Sequence, residues 1–375
     1  MMLSTLRRSI ATLLVGLAIA GATPAWSQSA MLDCPMRDDV LSIDSPLVDV
    51  LLNPAGLALL EGDQPGRFAN GPPRFTGTQA PTFAAILTVR MAARLTGVSD
   101  ERLTEIDPLL RAIPITDEFR AARCARYDND VPTLTLPEGR PRLLLFEKIV
   151  GFRDDPSVDA AHAAFIAMAE RNGWAIASTD RAGAINPATL AQFDAVIWNN
   201  ISGDVLTLSQ RKALQDYVEG GGGFVAIHGS AGDPVYFWDW YADTLIGARF
   251  LAHPMDPQFQ DARVVVHGDH PIAAHLPSGG WMMNEEWYSF RSNPRSVGAQ
   301  VVLSLDESSY SPVGPGGIDL RMGDHPLAWT HCVGRGRSFY SAIGHRPELY
   351  ADANHLELLQ SAIQWATAQP NRCGS

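Results

Sequence analysis

Histidine and tryptophan are missing from a long early stretch of the sequence. Residues 28–141 contain neither, whereas all ten His lie at or after His162 and every Trp beyond Trp26 lies at or after Trp174. Imidazole is the side chain best suited to proton transfer and metal binding near neutral pH. This absence excludes imidazole chemistry from the early stretch and indicates two regions of different composition.

Basic side chains are also scarce. The 29 Lys and Arg are outnumbered by 41 Asp and Glu, which gives a net charge of −12. Binding to nucleic acid and docking on anionic lipid both require basic surface. We therefore expect no nucleic-acid partner, and the sequence leaves the oligomeric state open. At 46% hydrophobic and 19% charged residues, the composition is that of a globular protein.

The sequence has no apolar run of the roughly 20 residues that a membrane-spanning helix needs. The apolar run from Ile10 to Ala20 is shorter, follows Arg7 and Arg8, and precedes a small-residue segment ending at Ser27. A basic, then apolar, then small-residue order is typical of a secretory signal peptide. We therefore predict a signal peptide over residues 1–27 and a periplasmic or secreted protein with no membrane span after its removal.

Cysteine is limited to four residues, and none has the CxxC spacing of a metal site. An even number in an exported protein favours disulfides over a catalytic thiol. Of the three possible pairings we favour Cys34 with Cys124 and Cys332 with Cys373, because each pair then closes within one region. A thiol nucleophile is the less favoured alternative.

Residues 28–135 are predicted to form an all-α module. Apolar residues recur at helical spacing over 47–60, with a break at Asn53-Pro54, and again over 83–95, where Gly97 would be the C-cap. Ser99 is a predicted N-cap for a further helix that ends before Pro114. Nothing in this region points to catalysis, so we expect a packing or docking role.

Residues 136–375 alternate between strand and helix patterns. Predicted strands at 142–146, 174–177, 195–198 and 224–227 are separated by helices, the first of them capped by Ser157. Further strands at 263–266 and 300–305, a hairpin through 333–336 and a helix over 355–368 follow. This rhythm predicts an α/β fold with a mostly parallel sheet flanked by helices.

The candidate functional residues follow the predicted strands, because ligands of parallel sheets bind beyond the carboxyl ends. His228 follows a glycine-rich apolar strand, where an imidazole could act as general acid, general base or metal ligand; the alternative is a hydrogen bond to loop backbone. We predict His228, Glu286 and His345 as catalytic. The predicted substrate-binding residues lie in loops or beside aromatic residues: Asp154, Asn200, Ser202, Asp204, Asp233, His253, Glu285, Tyr288 and His325.

Several alternatives stay open on the residues alone. Glu285 and Glu286 are adjacent, so in a strand only one of them can face a given pocket. The aromatic residues Trp238, Trp240, Tyr241 and Trp287 could stack on a sugar ring or belong to the core. No HExxH or comparable spacing supports a divalent metal, although one is possible, and the cofactor is left unknown.

Ordered motifs over residues 142–368 resemble the ThuA-like family, which is named for trehalose utilisation. They are Ser202-Gly203-Asp204-Val205-Leu206, Gly221-Gly222-Gly223-Phe224-Val225-Ala226-Ile227-His228, Gly247-Ala248-Arg249-Phe250, His253-Pro254, Asp269-His270-Pro271, Glu286-Trp287-Tyr288, His325-Pro326-Leu327-Ala328-Trp329 and Gly344-His345. The resemblance implies a fold similar to class I glutamine amidotransferases without their catalytic Cys. The preceding region resembles small helical modules of secreted sugar-acting enzymes.

The resemblance also implies a role in sugar catabolism, including the processing of oxidised (3-keto) disaccharides. Asp154 stands where the family usually has His, which places a metal or proton-shuttle role there in question. Our first hypothesis is an enzyme that isomerises or cleaves such sugars, with His228 and Glu286 as acid/base pair and His345 in the pocket. The alternatives are a carbohydrate-binding protein without catalysis and a metal-dependent hydrolase.

Overall fold

A computed structural model describes residues 33–62, 64–66, 68, 70–96, 98–368 and 373. The predicted signal peptide and the predicted C-cap Gly97 lie outside these residues. Leu32–Ser375 form one compact unit. Among the described residues, no helix is both long enough and apolar enough to cross a membrane.

Short helices precede the first strand. They are α1 (Leu47–Leu51), α2 (Pro54–Glu61), α3 (Pro73–Thr76), α4 (Val89–Thr96), α5 (Asp100–Arg111) and α6 (Asp117–Cys124). Ser99 caps α5 as predicted. The single helix expected over 83–95 is wrong: a 3-10 turn at Phe83–Ala85 is followed by extended chain. That interruption arises because Thr88 pairs with Pro46 in a β-bridge and the Leu87 carbonyl accepts the Leu47 N–H at 2.8 Å.

The remaining elements alternate between strand and helix before the chain becomes mostly β. They are β1 (Arg142–Phe146), α7 (Asp155–Asn172), β2 (Ala175–Thr179), α8 (Pro187–Leu190), β3 (Ala195–Asn199), α9 (Leu208–Glu219), β4 (Gly223–Ile227), β5 (Phe250–Ala252), β6 (Phe259–Val266), β7 (Trp281–Glu286), β8 (Ser289–Phe290), β9 (Gln300–Leu305), β10 (Pro326–Val333), β11 (Gly336–Ser341) and α10 (Ala353–Thr367).

The described strands form a nine-stranded sheet in the order β2-β1-β3-β4-β11-β10-β9-β6-β7, beside a separate β5-β8 pair. β2, β1, β3, β4 and β11 pair in parallel. The other four strands pair antiparallel, so only β10 and β6 run in the opposite direction. The predicted α/β class, with a mostly parallel sheet and preceding helices, is confirmed.

The cap of α7 corrects one sequence prediction. Asp154, not Ser157, is the N-cap, and its carboxylate accepts the Ser157 backbone N–H at 3.1 Å. A carboxylate three residues before the N–H reaches it directly and also complements the positive end of the helix. The helix therefore begins three residues earlier than expected, at Asp155.

The preceding helices share a hydrophobic core with the sheet. One cluster of buried apolar side chains includes Leu103 and Phe119 of the helices together with Leu144 and Val225 of the strands. The predicted boundary between residues 135 and 136 stays a prediction. Both favoured disulfides, Cys34–Cys124 and Cys332–Cys373, are present, so no free thiol remains.

The β6–β7 hairpin projects beyond the carboxyl edge of the sheet. β9 ends at Leu305, opposite Val264, whereas β6 extends five residues further back along the chain to Phe259. β7 pairs with this extension, and its last residue, Glu286, lies opposite Phe259. The hairpin therefore carries Glu286 past the sheet edge, towards the loops that follow β4 and β11.

Candidate active site

A cleft of about 930 Å³ opens at the carboxyl ends of the parallel strands. Its floor includes Glu286, the last residue of β7, Tyr288, which follows β7, and His345, which follows β11. Part of its wall comes from the helices before the sheet, including Phe83. Its volume is within the range of about 300–1,000 Å³ that small-molecule sites commonly have.

His228 lies directly after β4 in a strained conformation, with φ of 37°. A positive φ is uncommon for a residue other than glycine and is frequent at functional sites. Its Nδ1–H donates to the Ala342 carbonyl at 2.8 Å, so its Nε2 faces the site. There, Nε2 lies 3.0 Å from the Tyr288 hydroxyl and 3.1 Å from His345 Nδ1. His228 is 3% exposed and lies beneath the residues that line the cleft.

Glu286 is the charged centre of the cluster. Its Oε2 lies 3.0 Å from His345 Nδ1 and 3.4 Å from His228 Nε2, and its Oε1 lies 3.2 Å from His253 Nε2. Burial alone would raise the pKa of Glu286, but hydrogen bonds from His228 and His345 hold it well below its usual value. Glu286 is therefore a carboxylate that orients the imidazoles around it.

His345 is one of two imidazoles that line the cleft beside this carboxylate, the other being His253. Burial disfavours its charged form, but the hydrogen bond to Glu286 outweighs burial and raises the pKa of His345 above its ordinary 6.5. Because Glu286 holds Nδ1, the other ring nitrogen, Nε2, is the one available to a ligand. The rings of Phe259 and Phe152 lie beside it, with centroids 5.1 and 6.0 Å away.

Glu285 supports the site from below. Successive strand residues point to opposite faces, and the Glu285 carboxylate accordingly turns away from the cleft. It accepts the backbone N–H groups of Gly344 at 3.0 Å and His345 at 3.1 Å. Burial raises the pKa of Glu285. The adjacent carboxylates thus have different tasks, since Glu285 positions the loop that carries His345 and Glu286 contacts the imidazole itself.

Three ligand atoms in this cluster could hold a divalent metal ion. One nitrogen each of His228 and His345 and one carboxylate oxygen of Glu286 lie within 4.8 Å of one another. Two imidazoles and a carboxylate form a common zinc donor set. The three residues come from distant segments of the chain, so no local spacing in the sequence could have revealed the set.

Five of the predicted residues besides Glu286 and His345 border the cleft or its wall. Among them, Asp233 joins two loops, since its carboxylate accepts from the Ser202 hydroxyl at 2.5 Å and from the Gly203 N–H at 2.6 Å. Burial raises the pKa of Asp233 to about 7. The five are Asp154, Ser202, Asp233, His253 and Tyr288.

Asn200, Asp204 and His325 lie outside the lining of this cleft. The Asn200 side-chain carbonyl accepts the Gly229 N–H at 3.1 Å. Asp204 forms an ion pair with Arg211 and accepts the Tyr127 hydroxyl at 3.0 Å. His325 bridges Glu307 and the Tyr288 carbonyl, each at 2.8 Å. These three residues hold loops in place outside the lining of the cleft.

The tryptophans considered for sugar stacking lie elsewhere. Trp287 is fully buried and donates its indole N–H to the Gln260 carbonyl at 2.8 Å. Trp238 and Trp240 stack on each other at 5.2 Å. Trp238 and Tyr241 line a separate narrow cavity of about 30 Å³. Among the described residues, the aromatic lining of the large cleft is instead phenylalanine and tyrosine.

Sequence reasoning identified Tyr288 but missed the phenylalanines of this lining. Phe152 follows β1 through Gly151, so the rule that ligands lie beyond strand ends could have identified it. Phe75 and Phe83 belong to the helical region, which gave no functional signal in the sequence. Gln258 and Phe259 enter the cleft because β6 projects beyond the sheet, which local pattern does not reveal.

Comparison with known proteins gives a match to a family model and to solved structures. The family model described as trehalose utilisation, ThuA, matches residues 142–366. A ThuA-like protein from Bacteroides uniformis is 25% identical, with a TM-score of 0.54, over 64% of this chain and 96% of that chain. No curated protein matches the sequence.

A second ThuA-like protein, from Parabacteroides merdae, is 14% identical with a TM-score of 0.46, over 64% of this chain and 93% of that chain. PurLQS from Thermotoga maritima is 14% identical with a TM-score of 0.37, over 60% of this chain and 98% of that chain.

Proposed function

The chain belongs to the ThuA (trehalose utilisation) family, and on that premise we propose that it is an exported enzyme of sugar catabolism. Its substrates would be oxidised (3-keto) disaccharides or glycosides. The reaction would begin with proton transfer beside the ketone and end with cleavage of the glycosidic bond. The observation that carries the proposal is the Glu286–His345 pair on the floor of the cleft.

A 3-keto sugar can be cleaved by proton transfer alone. The ketone at C3 acidifies the hydrogen on C2, and a base removes that hydrogen to give an enolate. The electron pair then forms a C1–C2 double bond as the C1–O bond breaks, and the leaving oxygen takes up a proton. Water adds across the double bond afterwards, so the net reaction is hydrolysis without a covalent enzyme intermediate.

His345 fits the role of acid and base in this scheme. Its Nε2 would take the proton from C2 and return one to the departing oxygen, while Glu286 holds Nδ1–H and stabilises the imidazolium. A raised imidazole pKa makes His345 a stronger base than free histidine. The absence of any thiol in the chain argues against a covalent cysteine mechanism.

Tyr288 and His228 have supporting roles in the proposal. The pKa of Tyr288 is well above its usual value because the ring is buried, so its hydroxyl stays protonated and can donate to a ketone oxygen. Without substrate, His228 Nε2, 3.0 Å away, accepts the hydrogen bond of that hydroxyl from beneath the cleft, and a ketone oxygen would replace it as the acceptor. His228 thereby positions the hydroxyl donor, whereas His345 exchanges protons with the substrate.

Export is supported by the two disulfides, which are typical of an oxidising compartment. The signal-peptide pattern of the sequence agrees with them. On this basis we propose that the reaction takes place outside the cytoplasm.

Turnover of matched oxidised and unoxidised sugars tests the proposal. We expect wild type to release glucose from 3-ketotrehalose and to leave trehalose intact. His345→Gln and Glu286→Gln should each lower kcat by about 100-fold or more, the usual contribution of general acid/base catalysis. Glu348→Gln is the control, because Glu348 also borders the cleft but is an exposed partner of Arg346. Equal cleavage of trehalose, or unchanged turnover in both variants, would overturn the proposal.

Metal-dependent hydrolysis is the second candidate, since His228, Glu286 and His345 could hold an ion. Dialysis against a chelator separates the two candidates. Activity that survives metal removal supports proton transfer by the amino acids alone. Activity that is lost and then restored by Zn²⁺ supports the metal-dependent alternative.

A further inference from the structure

The cleft has one strongly apolar wall, and that wall comes from the helical region and the loop after β1. Phe75 and Phe83 stack with ring centroids 4.9 Å apart, and Phe83 lies 5.2 Å from Phe152. Phe152 in turn lies 6.0 Å from the His345 ring. Three aromatic rings therefore form a continuous path from the outer wall to the imidazole.

The apolar character of this wall extends to its rim. Ile86 and Leu87 border the cleft between the rings. Phe152 and Leu95 are exposed to solvent, at 36% and 71%. Exposed apolar side chains that gather around one cleft mark a binding surface.

Polar side chains are sparse on this side of the cleft. In the described part of the helical region, Arg74 is the one charged residue in the lining, and it lies over the Phe75 ring at 4.8 Å. Asp154 of the loop after β1 also borders the cleft, but its carboxylate is engaged by the Ser157 N–H at 3.1 Å. Glu286, His345 and His253 come from other segments of the chain. A second sugar ring needs partners for its hydroxyl groups, and a buried hydroxyl without a partner costs binding energy. This wall suits a ring without hydroxyls.

We propose that this aromatic wall is the subsite for the leaving group, and that the preferred substrates are 3-keto glycosides with an aromatic aglycone. This rests on the proposed function for the identity of the sugar part. The glycosidic oxygen would lie at His345, and the aglycone would extend along Phe152 towards Phe83. The helical region thereby determines substrate specificity, a role that the α/β fold alone does not supply.

The attachment of the wall to the sheet supports a fixed subsite. The Thr82 N–H donates to the Val150 carbonyl at 3.0 Å, just before Phe83. Ile86 packs so closely on Gly151 that a Cβ there would lie 2.5 Å from its side chain. The turn bearing Phe83 is therefore held directly against the loop bearing Phe152.

Binding and turnover of paired glycosides test the subsite. Calorimetry with 4-nitrophenyl β-glucoside and methyl β-glucoside measures binding without requiring the ketone. Kinetics with the corresponding 3-keto glycosides measure KM. We expect wild type to prefer the aryl member by about tenfold or more, since aromatic contacts and ring burial both contribute. Phe152→Ala and Phe83→Ala should remove most of that preference, because each weakens the aryl member far more than the methyl member.

Met282→Ala is the matched control, because Met282 is an apolar side chain, 59% exposed, outside the cleft. It should keep the aryl preference. Equal binding of aryl and methyl glycosides by wild type would overturn the subsite, as would an aryl preference that survives both Phe variants. Aryl preference in binding without turnover of any 3-keto glycoside would refute the proposed function and leave the subsite standing. Turnover of 3-keto glycosides without an aryl preference would support the proposed function and refute the subsite.

Discussion

At the scale of single residues, the site depends on how Glu286 sets the proton affinity of His345. The carboxylate lies 3.0 Å from Nδ1, and this contact raises the pKa of the imidazole against the opposing effect of burial. If His345 acts as the base, activity should rise with pH through that raised pKa.

The first prediction is a shift of the pH profile. In wild type the ascending limb of kcat/KM should lie above pH 6.5, the ordinary imidazole value. Glu286→Gln should lower the plateau and move the limb towards lower pH, because the variant lacks the charge that stabilises the imidazolium. Glu348→Gln should leave the limb in place. If the ascending limb keeps its position in Glu286→Gln, a group other than His345 determines the pH dependence.

A second residue-scale prediction concerns Asp233, whose pKa is about 7 in the folded protein against an ordinary 3.8. Between these values the folded state holds a proton that the unfolded state has released. Stability therefore falls as pH rises from about 4 to about 7. The groups that face the carboxyl are the Ser202 hydroxyl, the Gly203 N–H and Asp204, whose charge adds to the shift.

Chemical denaturation of wild type and Asp233→Asn at several pH values checks this. Relative to wild type, the unfolding free energy of Asp233→Asn should rise by up to about 4 kcal/mol between pH 4 and pH 8. Asp239→Asn, an exposed carboxylate paired with Arg249, should show little change. A pH-independent difference for Asp233→Asn would contradict the assigned shift.

At the scale of elements, close approach between the helical region and the strand loops forms the cleft. Gly151 is one point of close contact: an added Cβ would lie 2.4 Å from Ser202 Oγ and 2.5 Å from Ile86 Cγ2. Gly151→Ala should destabilise the protein by about 1–3 kcal/mol, the usual cost of overpacking. Gly268→Ala is the control, since nothing lies within 4 Å of its added Cβ. Equal stability of both variants would show that the loops separate freely.

A buried ion pair between α1 and α6 gives a further prediction at this scale. Asp49 is fully buried and lies 3.1 Å from Arg123 and 2.7 Å from Arg126. Asp49→Ala leaves both guanidinium groups without their partner, so unfolding free energy should fall by about 3–5 kcal/mol. Asp44→Ala, which removes an exposed pair with Arg90, should cost at most about 1 kcal/mol. If both variants lose a similar amount of unfolding free energy, the buried pair stabilises the protein no more than the exposed pair does.

The elements also show what sequence pattern can and cannot predict. Apolar runs flanked by turn residues predicted β1 and β9 at their observed bounds, because hydrophobic periodicity reflects burial. Pattern placed His228 after β4 for the same reason. The sequence analysis paired Glu286 with His228, but pattern could not show how they meet, since that contact depends on the long β6 strand that carries β7 past the sheet edge. The role of Phe83 was equally hidden, because it depends on packing between distant segments.

At the scale of the whole molecule, the family's α/β fold supplies the polar cluster, and the helices before it supply an apolar wall. The two meet in one cleft within a single compact unit. We therefore regard the helical region as part of the substrate site, which its sequence did not indicate. The central claim of the proposed function is that the reaction starts by proton removal beside a ketone.

Deuterium incorporation tests that claim most directly. Methyl 3-keto-β-glucoside is cleaved in D₂O, and NMR spectroscopy follows C2 of the released sugar at early times, with an enzyme-free sample to subtract spontaneous exchange. Our account predicts deuterium at C2 in every molecule that the enzyme cleaves, and loss of both cleavage and exchange in His345→Gln. Cleavage that retains the original hydrogen at C2 would contradict it.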